Sequence, residues 1–153
     1  VYSRIIPVEY PTVGEKPSPA RLGIINIDTR KTHWLSIPGQ ADDNYLVRTE
    51  WRSPTEIFVQ QMNRAQNTNI IYSYQTTTSK ATVVYQESDP AWIEVFSFNG
   101  NPSSYGYRHN FQWLNDKREF LWQSEKDGWN HLYRIGINGK ETLITPGNYD
   151  VIE

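Results

Sequence analysis

Two stretches of the sequence are related: WRSPTEIFVQQMNRAQNTNIIY at residues 51–72 and WLNDKREFLWQSEKDGWNHLYR at residues 113–134. They align without a gap, from Trp51 on Trp113 onward, at an offset of 62 residues. The aligned pairs include Phe58 with Phe120, Val59 with Leu121, Gln61 with Gln123, Arg64 with Lys126 and Ile70 with Leu132. A repeat of this length indicates stacked supersecondary units.

The repeat extends beyond these two stretches. Residues 80–84 match residues 140–144 at an offset of 60, and residues 25–29 faintly match residues 72–76 at an offset of 47. Apolar and polar residues alternate within each unit, as in Leu22 to Ile27 and Thr55 to Gln60, which is typical of half-buried strands. No window sustains the helical period of 3.6 residues, so the sequence predicts an all-β chain.

Turn residues divide each unit into four short strands. Asp127-Gly128 and Asn138-Gly139 supply the positive φ that tight hairpins need. The predicted strands are Tyr45–Trp51, Thr55–Met62, Thr68–Tyr74 and Lys80–Gln86 in one unit, then Tyr107–Trp113, Arg118–Ser124, Asn130–Gly136 and Lys140–Thr145 in the next. Four antiparallel strands per repeat are the blade of a β-propeller.

The strand count predicts a β-propeller fragment of about two and a half four-stranded antiparallel blades. The predicted segments of this one domain are an outer hairpin at 21–37, complete blades at 45–86 and 107–145, a long loop at 87–106, and the start of a further blade at 148–153. Closed propellers have about four to eight blades, so we expect the chain to be part of a longer protein. We also expect the isolated chain to dimerise, because uncovered strand edges pair with other chains.

Composition excludes some classes of function. The formal net charge is −2, from 15 basic and 17 acidic residues without a basic stripe, so we expect no nucleic-acid partner. There is no cysteine, which excludes disulfides and thiolate chemistry. The six tryptophans and ten tyrosines indicate blade packing, with a sugar-binding or base-stacking surface as the alternative.

A search for a catalytic or metal site finds none. No serine lies in a Gly-x-Ser-x-Gly elbow, and His33, His109 and His131 lack metal-ligand spacing, so we predict no metal and no cofactor. We interpret His131 as a packed or rim histidine rather than a base. The predicted loop carboxylates are interpreted as solvated turn formers, with acid–base chemistry as the alternative: Glu87, Asp89, Glu94, Glu125 and Asp127.

Five strings occur along the chain in a fixed order and spacing: VEYPTVG at 8–14, NRAQN at 63–67, Trp92-Ile93 shortly after Glu87, FLWQSEKDGWNHLY at 120–133 and LITPGNYDV at 143–151. In this order and spacing they resemble the propeller of the dipeptidyl peptidase IV family, in the prolyl oligopeptidase superfamily of serine peptidases. The resemblance covers essentially the whole chain.

The resemblance implies a serine exopeptidase that releases N-terminal dipeptides with Pro or Ala in second position. Its catalytic Ser, Asp and His would lie on an α/β-hydrolase domain outside this chain. Its paired glutamates for the substrate amino terminus would lie upstream of Val1. The chain itself would then be non-catalytic, and a bacterial parent would be periplasmic or secreted. The alternative is a stand-alone or periplasmic propeller scaffold that binds protein without catalysis.

Blade topology and the resemblance together predict the face that meets substrate. Turns between second and third strands share one rim with connections between blades, which places Arg64, Asn67, Trp92 and Glu125 on the cleft side. The stretch from Trp92 to Phe96 resembles the family segment whose phenylalanine lines the pocket for the second substrate residue. Phe96 is therefore the predicted substrate-binding residue, and the alternative is that Trp92 and Phe96 only fasten the loop to the blade.

Overall fold

The computed structural model describes residues 3–7, 14–16, 18–94 and 111–151, and every regular element in these ranges is a β-strand. The strands are β1 (Gly23–Ile25), β2 (Thr32–Trp34), β3 (Asn44–Ser53), β4 (Glu56–Asn63), β5 (Thr68–Gln75), β6 (Lys80–Ser88), β7 (Phe111–Leu114), β8 (Glu119–Ser124), β9 (His131–Gly136) and β10 (Glu141–Leu143).

The strands form one hairpin and two four-stranded sheets. β1 pairs with β2, β3 to β6 form the first sheet, and β7 to β10 form the second sheet. Within each sheet consecutive strands are neighbours and antiparallel, because every connection is a short turn. The all-β prediction with four strands per unit is therefore confirmed.

Residues in the left-handed region close the turns. Gly128 has a φ of 96° and its amide donates to the Glu125 carbonyl at 2.9 Å, while Gly139 has a φ of 79° and donates to the Gly136 carbonyl at 2.8 Å. The β7–β8 turn instead uses three successive non-glycine residues with positive φ, Asn115 to Lys117. Such residues are uncommon outside tight turns.

The two sheets pack face to face through an aromatic junction. Its buried residues are Phe58, Ile71 and Tyr85 of the first sheet and Phe111, Phe120, Trp122, Tyr133 and Ile135 of the second. Phe111 and Phe120 stack with their ring centroids 4.8 Å apart, and Trp113 packs against Phe58 at the same separation. Large rings with several edge-to-face neighbours bury much apolar area here.

The opposite face of the first sheet packs on the β1–β2 hairpin through a smaller hairpin junction. Its buried residues are Leu35 from the hairpin and Ile57, Val59, Tyr72 and Tyr74 from the sheet. Leu22, Ile24 and Ile37 add partly buried aliphatic side chains. The first sheet is therefore covered on both faces.

The face of the sheet on which each residue lies shows that the ungapped alignment at an offset of 62 residues is wrong within the strands. Ile57 and Tyr74 are cross-strand partners facing the unit before them, and Phe120 and Ile135 are the equivalent pair. Phe58 is not the counterpart of Phe120; their rings meet across the aromatic junction with centroids 6.3 Å apart. A one-residue shift transfers a side chain to the other face of a sheet.

The alignment of Trp51 on Trp113 holds in the structure, because Trp51 pairs with Ile57 as Trp113 pairs with Phe120. The connection from Trp113 to its partner Phe120 has one residue more than the connection from Trp51 to Ile57, which includes a bulge, and this extra residue shifts the next strand. The offset of 60 also holds for the outer strands, since Ala81 pairs with Tyr74 as Glu141 pairs with Ile135.

One predicted boundary is corrected. The sequence places Glu87 at the start of a long loop, but β6 continues through Ser88. Asn69 pairs with Glu87 in the ladder, and Glu87 is only 8% exposed. Its interpretation as a solvated loop carboxylate is therefore wrong, because the strand carries its side chain into the aromatic junction.

Candidate functional site

The predicted cleft-side residues lie on or beside three segments at one end of the strands of both sheets. We call this end the rim. These segments are the β4–β5 turn, the stretch 89–94 that follows β6, and the β8–β9 turn. Each segment lies at the same end of its sheet because alternate turns of an antiparallel meander fall at the same end of the strands.

The β4–β5 turn is held by the side chain of Asn63. Its Oδ1 accepts hydrogen bonds from the amides of Asn67 and Thr68 at 3.0 and 2.9 Å, and its Nδ2 donates to Asn67 Oδ1 at 2.8 Å. Gln66 has a φ of 57° within this turn. Asparagine commonly supplies such turn contacts because its short amide reaches nearby backbone groups.

The stretch 89–94 is bonded to that turn. The Asp89 amide donates to the Asn67 carbonyl at 3.0 Å, and the Ile93 amide donates to the Gln66 carbonyl at 2.9 Å. Asp89 Oδ1 accepts from the amides of Ala91 and Trp92, and these bonds hold the pKa of Asp89 below its usual range. Asn67 and Trp92 therefore belong to one hydrogen-bonded unit.

Arg64 is directed elsewhere. Its guanidinium donates to the backbone carbonyl of Glu15, and its amide donates to the carbonyl of Asp43 at 2.9 Å. Arg64 thus joins the rim to the segment before β1 rather than to the Trp92 stretch. The sequence could place Arg64 on this turn but could not give its direction, because the guanidinium partner is a distant backbone group.

Trp92 and Glu125 line a common cavity of about 120 Å³. One wall comes from the end of β6 and the stretch after it, and the other comes from the end of β8 and the β8–β9 turn. The lining residues are Glu87, Asp89, Trp92, Ile93, Glu94, Gln123, Ser124, Glu125, Lys126 and Asn130. The cavity therefore lies at the rim end of the aromatic junction.

Glu87 forms the floor of this cavity and contacts both sheets. Its carboxylate accepts hydrogen bonds from Trp122 Nε1 at 2.7 Å, from the Ser124 hydroxyl, and from the Tyr85 phenol at 3.4 Å. All three donors are neutral. Burying a carboxylate is costly unless its lone pairs are satisfied, so these donors hold Glu87 in one geometry.

Lys126 closes the outer side of the junction. Its ammonium lies 4.0 Å from the centroid of the Tyr133 ring, donates to the Tyr85 hydroxyl at 3.0 Å and pairs with Glu141. Burial raises the pKa of both the Tyr85 and Tyr133 phenols well above the usual value. Both phenols therefore stay neutral, and neither is poised as a base.

His131 is packed, as the sequence predicts, and is 2% exposed. Its Nδ1 donates to Asp127 Oδ2 at 2.8 Å, since an ionised carboxylate only accepts. This bond is the main cause that lowers the pKa of Asp127. The neighbouring Asn130 donates through Nδ2 to the Val151 carbonyl at 3.1 Å, so the turn is joined to the chain after β10.

Phe96, the predicted substrate-binding residue, lies outside the described residues. Within the described ranges, no group of three or more His, Asp or Glu residues is arranged to hold a metal ion. No helix in the same ranges is long and apolar enough to cross a membrane. The described part of the site offers hydrogen-bonding and carboxylate groups beside the indole ring of Trp92.

Known families and proteins match this chain over essentially its whole length. The family described as "Dipeptidyl peptidase IV (DPP IV) N-terminal region" matches residues 1–153. Venom dipeptidyl peptidase 4 of Apis mellifera is 26% identical over 160 aligned residues, covering 99% of this chain and 19% of that protein. Dipeptidyl peptidase 4 of Trichophyton rubrum is 22% identical, again over 99% of this chain and 19% of that protein.

Two solved structures are similar to the chain. The structure of Porphyromonas gingivalis dipeptidyl peptidase 4 overlays with a TM-score of 0.79 at 26% identity, covering 95% of this chain and 19% of that chain. A putative dipeptidyl aminopeptidase IV from Bacteroides ovatus gives a TM-score of 0.71 at 26% identity, covering 92% and 21%. The predicted propeller fragment is thus confirmed, and the chain spans about a fifth of the length of the proteins it matches.

Proposed function

Because the chain belongs to the family of the dipeptidyl peptidase IV N-terminal region, we propose that it is a non-catalytic propeller segment of a serine exopeptidase of that type. The parent enzyme releases N-terminal dipeptides with Pro or Ala in second position. The observation that carries this proposal is the match of residues 1–153 to one family, together with relatives that are named dipeptidyl peptidase 4.

The segment gates and docks substrate rather than cleaving it. Its partners are the remaining blades and an α/β-hydrolase domain of the parent chain, which supplies the nucleophile, base and acid. The rim is the face that meets the peptide in this proposal, with Phe96 as the substrate-binding residue and Arg64, Asn67, Trp92 and Glu125 on the cleft side. The Trp92 indole and the carboxylates of the described cavity suit a peptide backbone and its amide groups.

The parent chain that contains residues 1–153 tests this proposal directly. With a glycyl-proline chromogenic amide, we expect turnover that a serine-hydrolase inhibitor abolishes, and no turnover by the 153-residue chain alone. A parent chain without this activity would favour the protein-binding scaffold instead. Inhibitor-resistant turnover by the isolated chain would overturn the non-catalytic role.

The isolated chain associates with a second copy through its outer edges. Support comes from exposed apolar side chains on the hairpin and on the second sheet, including Ile25, Trp34 and Leu143. Exposed strand edges with such side chains favour pairing between chains. Light scattering over a concentration series should show a dimer, and a monomer at every concentration would contradict this part.

A further inference from the structure

Two Glu–Trp hydrogen bonds cross the aromatic junction, one near each end of the strands. At the rim, Trp122 Nε1 donates to Glu87 Oε2 at 2.7 Å. At the opposite end, next to the β3–β4 turn, Trp113 Nε1 donates to Glu50 Oε2 at 2.8 Å. The same chemistry therefore occurs twice between the same two sheets, and its surroundings can be compared.

The surroundings of the two carboxylates differ. Glu50 has a side chain that is 34% exposed, and it pairs with the cation of Arg48 at 3.2 Å. Glu87 is buried, and its partners in the described part of the chain are the neutral indole, hydroxyl and phenol groups described above. A partly exposed ion pair contributes little to rigidity, whereas a buried carboxylate requires its donors to stay in place.

Glu87 is also joined to both walls of the rim cavity. On one side, the Ser124 hydroxyl that donates to Glu87 accepts from the Lys126 amide at 3.2 Å, which leads into the β8–β9 turn. On the other side, the chain two residues beyond Glu87 begins the Asp89 unit that caps the Trp92 amide. The position of one wall is thus transmitted to the other through Glu87.

We propose that Glu87 is a positioning residue that sets the spacing between the Trp92 stretch and the β8–β9 turn, and through it the affinity of the rim for peptide substrate. This inference rests on the proposed function. Glu87 does not touch the reacting atoms, which belong to another domain. Its loss should therefore weaken substrate binding while leaving the chemical step intact.

The test uses the full-length parent enzyme with a matched pair of isosteric variants, Glu87→Gln and Glu50→Gln. The Glu87→Gln variant replaces one acceptor oxygen with an NH2 group, so its side chain can no longer accept from both Trp122 Nε1 and the Ser124 hydroxyl. We expect its KM to rise about fivefold or more with kcat within about twofold of the wild type. Glu50→Gln should leave both constants within about twofold.

A second variant guards against loss of folding. Ser124→Ala removes a single hydroxyl from the relay and should raise KM in the same direction, by about twofold to threefold. The conservative Glu87→Asp variant keeps the charge and should recover part of the affinity lost in Glu87→Gln. The positioning role is overturned if Glu87→Gln and Ser124→Ala both leave KM unchanged, or if Glu50→Gln raises KM equally.

A readout independent of activity separates this inference from the proposed function. Hydrogen exchange of residues 89–94 and 124–130 should be faster in Glu87→Gln than in Glu50→Gln, in the parent chain, whether or not that chain cleaves peptides. An inactive parent with this exchange pattern would refute the proposed function and retain the positioning role. Equal exchange in the two variants would refute the positioning role.

Discussion

The first sheet has two junctions of different strength. On one face it meets the second sheet through eight buried side chains, six of which are Phe, Tyr or Trp, with ring contacts among them. On the other face it meets the β1–β2 hairpin through five buried side chains, of which only the two tyrosines are aromatic and both belong to the sheet. The same strand plan therefore supports either a broad aromatic contact or a narrow aliphatic one.

The difference follows from how many strands each partner offers. A two-stranded hairpin covers only part of a four-stranded face, so Trp51 remains 47% exposed although it faces the hairpin side. Its counterpart Trp113 is covered by Phe58 and bonded to Glu50. Equivalent positions in a repeat can thus have unequal energetic roles, because burial depends on the neighbour.

The largest expected effect compares Phe120 with its true counterpart Ile57. Phe120 is completely buried among five aromatic rings, and Phe120→Ala should lower the free energy of unfolding by about 3–5 kcal/mol. Ile57→Ala opens a smaller cavity at the hairpin junction and should cost about 2–3 kcal/mol. Urea unfolding followed by circular dichroism measures both. Equal losses would show that the two junctions are equally strong.

The tryptophan pair sharpens the same comparison with a smaller change. Trp113→Phe removes the indole donor to Glu50 and part of the packing on Phe58, and should cost about 1–2 kcal/mol. Trp51→Phe alters a half-exposed ring and should change the free energy of unfolding by less than about 0.5 kcal/mol. A larger loss for Trp51→Phe would mean that the hairpin side is better packed than the structure indicates.

The turns of the two sheets give a third contrast, since Asn63 holds the β4–β5 turn by three side-chain bonds. Asn63→Ala leaves the Asn67 and Thr68 amides without these acceptors and should cost about 1–2 kcal/mol. The control is Asn138→Ala, because Asn138 makes one such bond, to the Lys140 amide at 3.0 Å in the β9–β10 turn. Similar losses for both variants in urea unfolding would contradict the bracing role of Asn63.

Much of this fold could be predicted from the sequence, and the failures have a common cause. Alternating residues and turn dipeptides gave the strands, because these signals are local. The alignment of Phe58 with Phe120 failed because one extra residue between Trp113 and its partner in β8 changes the face of β8 while similar side chains still align. Identity of residue type concealed a change of face.

The site was less predictable than the fold. Glu87 was missed as a buried group because the last residues of β6 resemble a polar loop, QESDP, when read without their partner strand. Its donors Trp122 and Ser124 lie more than thirty residues away and on another sheet. The sequence does place two tryptophans, Trp113 and Trp122, and two glutamates, Glu50 and Glu87, in the strands, but only the register shows which of them meet.

The smallest expected effect concerns the pH dependence of stability at the β8–β9 turn. The hydrogen bond from His131 Nδ1 to Asp127 holds this turn, as the Asn63 side chain holds the β4–β5 turn. That bond lowers the pKa of Asp127 below its ordinary value of about 3.9. The unfolded chain therefore binds the proton at a higher pH than the folded chain, so this contribution is present above about pH 4 and is lost as the pH falls through the lowered pKa. Because Asp127 is about one-third exposed, solvent screening limits the contribution to less than about 1 kcal/mol.

Asp127→Asn should flatten the decline of unfolding free energy below pH 4, whereas Asp116→Asn, at a 97% exposed side chain, should leave the wild-type slope. Urea titrations at pH 3 to 6 measure the slopes. A decline as steep in Asp127→Asn as in the wild type would show that the His131–Asp127 bond does not contribute to the loss of stability in acid.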